Sequence, residues 1–275
     1  MNVLFLGDLV GERVIIYIKH TLKDIKRKYK IDVVIANGEN VADGYGIKPS
    51  QCEELIEYGV DVITSGNHIW DQAEILPYIA KNNKILRPIN YKTSTPGNGH
   101  IRYESNNGKI ILVINLICNL FMRTSSCPFE AVKEVLNNNK LKTDCDIILV
   151  DLHGEAASEK QALANMIDGR VTAVLGTHTH VPTSDLRILP NGTTFITDAG
   201  MCGDYDSVIG GKKESWINKF EKKDRLKISS ANKNSTICGV IIKASKDTGL
   251  TQASGQIILG NTLENKIPDD KYFYD

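Results

Sequence analysis

The sequence predicts an α/β fold of mixed β-sheets flanked by helices. Short apolar runs alternate with amphipathic helical segments through the first two thirds of the chain, the pattern of crossover units around a buried sheet. Five of those runs end beside a glycine and a polar side chain of the kind that binds metals. The composition, 275 residues with 41% hydrophobic and 24% charged, is that of an ordinary globular protein with chain enough for a sizeable core.

The elements follow in order. Val3–Leu6 is a short strand closed by Gly7-Asp8. Val14, Ile15, Ile18, Leu22 and Ile25 recur at helical spacing among lysines and predict a helix over 12–29. Asp32–Ala36 is a second strand, ending in Asn37-Gly38-Glu39-Asn40. Pro49–Tyr58 reads as a helix with Pro49 or Ser50 near its start. Val60–Thr64 is a third strand, leading into Ser65-Gly66-Asn67-His68, and Asp71–Lys81 is expected to be helical. Residues 93–108, rich in Pro, Gly, Asn and Ser, predict an irregular loop with a hairpin. Lys109–Asn115 is a strand, Phe129–Leu136 a helix, Cys145–Leu152 a strand ending at His153, and Ser158–Ile167 a helix. Val171–Leu175 then delivers Gly176-Thr177-His178-Thr179-His180. Thr193–Thr197, Ile237–Ala244 and Gly255–Leu259 lack clear helices between them, so antiparallel additions are expected. Residues 203–225 place Gly210-Gly211 before a lysine-rich stretch with Trp216 and Phe220, and read as a mobile loop plus an amphipathic helix, a cap. No linker, low-complexity tract or repeat divides the chain, so one domain over 1–275 is expected.

Lys+Arg and Asp+Glu both number 33, a formal net charge of zero. That weighs against a nucleic-acid polymer as a stable partner, since backbone binding rests on basic charge. It leaves room for a small phosphorylated substrate. The N-terminus reaches Asp8 after a short apolar run, with no basic region or small-residue cleavage site, so no secretory signal is expected. No apolar run approaches the roughly 20 residues of a membrane span. The six cysteines are scattered without a Cys-x-x-Cys pair. They read as reduced, and a cytoplasmic protein is the expectation.

The strand ends carry the chemistry. His178 and His180, two residues apart on an extended segment, point to the same side. A single His-x-His is served equally well by a surface loop, and a single polar residue after a strand by turn chemistry. Five strand ends bearing Asp8, Glu39-Asn40, Asn67-His68, His153 and His178/His180 exceed that explanation. In an open α/β sheet, ligands bind outside the carboxyl ends of the strands. The donors are oxygen and nitrogen without thiolate, which suits iron or manganese, with zinc possible. Asp8, Glu39, Asn40, Asn67, His153, His178 and His180 are too many for one tetrahedral ion and fit two, with one carboxylate shared. Two-metal sites about 3.5–4 Å apart serve phosphate-ester hydrolysis. Two divalent ions carry about four positive charges against two from Asp8 and Glu39, a surplus that favours an anionic phosphate.

The succession Gly7-Asp8, Gly38-Glu39-Asn40, Gly66-Asn67-His68, His153 and Gly176-Thr-His178-Thr-His180 resembles the calcineurin-like metallophosphoesterase superfamily. It is most similar to the YmdB-like bacterial subgroup, through Gly38-Glu39-Asn40, Asn67-His68-Ile69-Trp70-Asp71, His153-Gly-Glu-Ala-Ala-Ser-Glu-Lys160 and Tyr205-Asp-Ser-Val-Ile-Gly210. The resemblance runs from Met1 to about residue 260. It departs from the wider superfamily at Val10, where many members have His, and from the subgroup at Gly154, where Ala is expected. It implies a metallophosphoesterase sandwich holding two divalent or trivalent ions, iron or manganese ahead of zinc or magnesium. One ion would be held by Asp8, Glu39, Asn40 and His180, the other by Glu39, Asn67, His153 and His178, with Glu39 bridging. His178 and His180 would thus serve different ions. His68 would be the proton donor to the leaving oxygen, a task suited to imidazole. Asp71 could hold its other nitrogen, or serve only as a carboxylate at a helix start.

The implied reaction is phosphodiester hydrolysis by a metal-bridging hydroxide, with 2′,3′-cyclic nucleotides (cAMP and cGMP in that form) ahead of 3′,5′-cyclic ones. A homo-oligomer is also implied. Tyr205 and the 203–225 segment are candidates to stack on a base, although loop aromatics commonly serve local packing. A phosphomonoesterase or protein phosphatase on the same site is a second reading. A regulatory, RNA-associated protein keeping its metals for structure is a third, against which His68 counts, since a structural centre has no use for a non-ligand imidazole.

Overall fold

Two mixed sheets of six strands each stack as a sandwich in the computed structural model, which describes residues 1–92, 94–122, 126–222 and 227–274. In the first sheet β1 (Asn2–Val10), β2 (Val33–Asn40) and β3 (Val62–Thr64) run parallel. In the second, β4 (His100–Glu104) and β5 (Ile110–Ile117) form an antiparallel hairpin. Beside it β6 (Ile147–His153) and β7 (Ala173–Thr177) run parallel to β5. β8 (Arg187–Ile188) closes that sheet against β9 (Thr194–Ile196). β10 (Met201–Cys202) returns to the end of β1, and β11 (Ile237–Ala244) with β12 (Thr251–Leu259) completes the first sheet antiparallel to β1.

Strand alternation sorts the core into three layers. Val3, Phe5, Val33 and Ile35 meet Ile111, Val113, Ile147 and Leu149 between the sheets. The intervening Leu4, Leu6 and Val34 face outward, under α1 (Arg13–Tyr29) and α2 (Pro49–Glu57). On the far side Leu112, Ile114, Ile148 and Val150 pack beneath α4 (Pro128–Asn137) and α5 (Ala157–Met166). Because both faces are covered, the central strands open on continuous apolar runs such as Val3–Leu6 and Ile147–Val150.

Two expectations change. The helix over Asp71–Lys81 shrinks to α3 (Ile75–Ile79), because Asp71 is folded back in a turn on His68 instead of opening a helix. The late strands are not uniformly antiparallel: β9 runs parallel to β7 and β10 parallel to β1. The segment 203–225 does hold a helix, α6 (Lys213–Glu221), with no buried residue; its last three residues, like Thr93 of the 93–108 loop, lie outside the described residues. All six cysteines are free thiols. No helix among the described residues is long and apolar enough to cross a membrane.

Candidate metal centre

Both sheets deliver the predicted donors to one place. Asp8 lies on β1, Glu39 and Asn40 end β2, and Asn67 and His68 follow β3; His153 ends β6, and His178 and His180 follow β7. The crevice is therefore formed between the ends of two stacked sheets, not along one open sheet. Around Asp8 the pairing of β1 with β2 slips twice, between Leu6 and Asp8 and again between Asp8 and Val10. Such bulges re-aim a side chain, and here the carboxylate is carried into the crevice. Gly66 is required by close approach: a Cβ there would stand 2.2 Å from the His153 ring.

The donors fall into two groups. His153 Nε2 lies 3.1 Å from Asn67 Oδ1, 3.1 Å from His178 Nδ1 and 3.5 Å from Glu39 Oε1. Donors around one ion bonded at about 2.0–2.2 Å stand roughly 3.0–3.5 Å apart, and each of these three distances from His153 falls in that range. In the other group His180 Nε2 lies 3.1 Å from Asn40 Oδ1 and 3.9 Å from Asp8 Oδ1. Glu39 sits with the first group, its oxygens accepting from the Gly66 and His68 backbone N–H groups. Asp8 Oδ1 lies between the groups, 3.7 Å from His153 Nδ1. Among the described residues, no three His, Cys, Asp or Glu side chains alone close around one point; a complete set would need the carboxamides Asn40 and Asn67 as well.

The protons show what the cluster accepts. Ile209 O takes the His180 Nδ1 proton at 2.8 Å, so a neutral ring turns its Nε2 lone pair toward Asn40 Oδ1. The Asn40 amide is spent on Gly44 O at 2.9 Å, so two acceptors face each other. Likewise Asp151 Oδ1 accepts from Thr177 Oγ1 at 2.7 Å, and Thr177 Oγ1 takes the His153 Nδ1 proton at 3.0 Å. That leaves the His153 Nε2 lone pair facing Asn67 Oδ1 and a carboxylate. Asp8 Oδ1 is fully buried with no hydrogen-bond partner among the described residues. Burial drives the His153 pKa well below its usual value and that of His178 down to about 4, while it raises Asp8 to about 8 and Glu39 well above the carboxylate range. Lone pairs facing lone pairs around an orphaned buried carboxylate oxygen form the donor set that a divalent cation completes.

His178 and His180 part company. His178 goes to His153 and His180 to Asn40. The expectation that they point to one side of an extended strand fails because β7 ends at Thr177 and both histidines have left-handed φ, 105° and 66°. His68 lines the same cavity as Glu39, Asn40, His178 and His180, and its Nδ1 lies 2.6 Å from Asp71 Oδ2.

A family model described as YmdB-like protein matches residues 4–257. The chain belongs to the YmdB-like family. It is 41% identical over 248 residues to a 2′,3′-cyclic-nucleotide 2′-phosphodiesterase of Bacillus subtilis (strain 168), covering 90% of this chain and 93% of that protein. Among solved structures it resembles a hypothetical protein from Thermus thermophilus, with a TM-score of 0.88 and 37% identity over 94% of this chain and 99% of that one. A structure titled as a novel phosphatase from Mycoplasma pneumoniae follows at TM-score 0.86 and 36% identity, over 99% of this chain and 95% of that one.

Some supporting residues of this YmdB-like site escape sequence reading. Asp151 accepts from Thr64, Thr177 and Asn37, and burial lifts its pKa to about 7; its only sequence signal is a charge inside an apolar strand, two residues before His153. Gly154 has a local cause, since a Cβ there would come within 2.4 Å of the Cys118 Cβ. Tyr205 is not among the residues that line the cavity. Its hydroxyl is tied to Met201 N at 2.9 Å and His180 O at 3.1 Å, so it buttresses the His180 turn.

Lys160, fully buried, donates to Thr177 O at 2.7 Å and Thr197 O at 2.9 Å and pairs with Asp198 at 3.3 Å. Asp198 in turn accepts from Thr179 N, between the two histidines, at 2.9 Å. Lys160→Met is expected to lower stability by about 3–5 kcal/mol, because it strands a buried carboxylate. The urea midpoint checks it; a change below about 1 kcal/mol would place the pair with exposed ones.

Proposed function

We propose that this YmdB-like protein is a phosphoric diester hydrolase acting on 2′,3′-cyclic nucleotides such as the cyclic forms of AMP and GMP. It would use two ions, iron or manganese ahead of zinc or magnesium. The observation that carries the reading is the meeting, in one cavity, of an imidazole outside the donor groups, His68, with Glu39, Asn40, His178 and His180. Asp8, Glu39, Asn40 and His180 would hold one ion, and Glu39, Asn67, His153 and His178 the other. When bound, such ions supply charge neutralisation at the phosphoryl oxygens and a lowered pKa for the attacking water.

The chain's own residues do the rest. Asp71 holds the His68 Nδ1 proton and fixes the ring, so Nε2 is left to act on substrate. As a water oxygen bonds to phosphorus and releases one of its protons to solvent, the P–O2′ bond breaks and His68 gives its Nε2 proton to O2′, leaving the phosphate on O3′. The cleavage of the 2′ rather than the 3′ bond is supported by the name of the Bacillus relative.

Metal analysis paired with a substrate screen tests this. About two ions per chain are expected, with turnover of 2′,3′-cyclic AMP exceeding that of 3′,5′-cyclic AMP and of 4-nitrophenyl phosphate. Dominant monoester turnover would replace the reading with a phosphomonoesterase. Full metal loading with no turnover would favour a regulatory role.

A further inference from the structure

The cavity that holds His68 does not stop at the donor groups. Its volume is about 250 Å³, and away from the carboxylates its apolar wall is formed by Val10, Tyr45, Ile209, Trp216 and Ile228, with the neighbouring glycines and the Ser229-Ser230 pair between them. A site that only hydrolysed a small phosphate would need none of this apolar wall. Two of the residues are aromatic, and each is already in contact with a cation. Lys219 Nζ, itself part of the wall, stands 4.7 Å from the Trp216 ring centroid, and Lys227 Nζ 4.5 Å from that of Tyr45. An ammonium over a ring is held by the ring's quadrupole, and it has to move off before a base can take that face.

The two rings differ in what holds them. Tyr45 stands edge-on to His68, with centroids 5.4 Å apart, and its hydroxyl accepts from Ile228 N at 3.3 Å. Trp216 is backed by Phe220, stacked at 5.6 Å and 20°. Its indole Nε1–H is buried and without an acceptor among the described residues. What Trp216 offers the cavity is therefore a ring and not a donor. The nearby Ser230 hydroxyl is occupied with Asp43 at 2.9 Å.

We propose that the Trp216–Tyr45 end of this cavity is the subsite for the nucleobase, and that it binds the base by stacking and apolar contact, with little discrimination between purines and pyrimidines. The proposal rests on the reading of the site as one for cyclic nucleotides. Every base has a π face, so a stacking platform tolerates all four. A subsite built to read base edges would present free donors and acceptors. In this one the indole donor is buried and Ser230 is bonded to Asp43; the Tyr45 hydroxyl, which accepts from Ile228 N and keeps one proton to give, and Ser229 are the other polar side chains beside a wall of rings and aliphatic groups. The phosphate lies at the donor end, the ribose near His68, and the base against Trp216. Lys219, on α6, yields the ring face to the base.

The test uses the full, metal-loaded chain and its Trp216→Ala and Trp216→Phe variants. The substrates are the four 2′,3′-cyclic nucleotides and glycerol 1,2-cyclic phosphate, a five-membered cyclic diester without a base. The affinity of adenosine 3′-monophosphate is measured by calorimetry alongside. For the parent, the four nucleotides should have KM values within a few-fold of one another. In Trp216→Ala the ratio of kcat/KM for each nucleotide to that for the base-free diester should fall roughly tenfold, with a matching rise in the Kd of the 3′-nucleotide; Trp216→Phe should restore most of both. An equal loss on nucleotides and base-free diester, or no loss on either, overturns the proposal. So does a parent that prefers one base by a hundredfold. If the parent turns over no diester at all, the Proposed function fails by itself, and the Kd series still decides whether Trp216 carries the base.

Discussion

Replacing His68 by Ala is expected to cut kcat on 2′,3′-cyclic nucleotides by about 10²–10⁴-fold while bound metal stays at the parent level. The ring belongs to neither donor group. Its Nδ1 is held by Asp71 at 2.6 Å, and its backbone N–H, not its side chain, meets Glu39. The loss should depend on the leaving group. A ribose alkoxide needs a proton as the bond breaks, whereas 4-nitrophenolate departs without one. The variant should therefore keep far more of its activity on a 4-nitrophenyl diester. An equal loss on both substrates would mean that His68 places the substrate and donates no proton, and a fall in metal content would make it a ligand.

Asp8→Asn is expected to lower bound metal and to reduce turnover more than about 100-fold, since even residues behind a ligand are worth 10–100-fold. It should also change the chelated protein in the opposite sense. Burial, and next the charge of Asp198, raises the Asp8 pKa from 3.8 to about 8. Between those values the folded chain binds a proton that the unfolded chain has released. The stabilisation is complete below about pH 4 and is lost as pH rises through about 8, by up to roughly 1.4 kcal/mol per pH unit. The variant has no carboxyl to ionise. In chelator its stability should fall less steeply between pH 6 and pH 8, and at pH 8 it should melt above the parent. Asp151, raised to about 7, remains in both proteins and keeps some slope. Thermal melts at the two pH values check this; an unchanged slope would remove Asp8 as its source.

The strands and long helices were legible because their signals are local: α1 declares itself in Val14, Ile18, Leu22 and Ile25, and β6 in the apolar run Ile147–Val150. The ligand-type residues were legible for the same reason, each sitting beside a glycine at a strand end. What periodicity could not provide was tertiary. Nothing in the pattern says that β1–β3 and β5–β7 belong to two stacked sheets; the sandwich came from the family resemblance. The divergence of His178 and His180 depends on left-handed backbone. Two residues distant in the chain help to hold it: Lys160, 17 positions before Thr177, and Asp198, 19 positions after Thr179. Asp151 looked like one more strand residue until Thr64, Thr177 and Asn37 closed around it.

The division of the centre between two sheets has a chemical side. The first sheet contributes only oxygen: Asp8, Glu39, Asn40 and Asn67. The second contributes only nitrogen: His153, His178 and His180. Each sheet alone is a poor chelator of a different kind, hard on one side and borderline on the other. The character of the combined ligand field would be set by how the two layers dock. A core substitution between the sheets, at Phe5 or Ile147, would then act on the choice of ion as well as on stability.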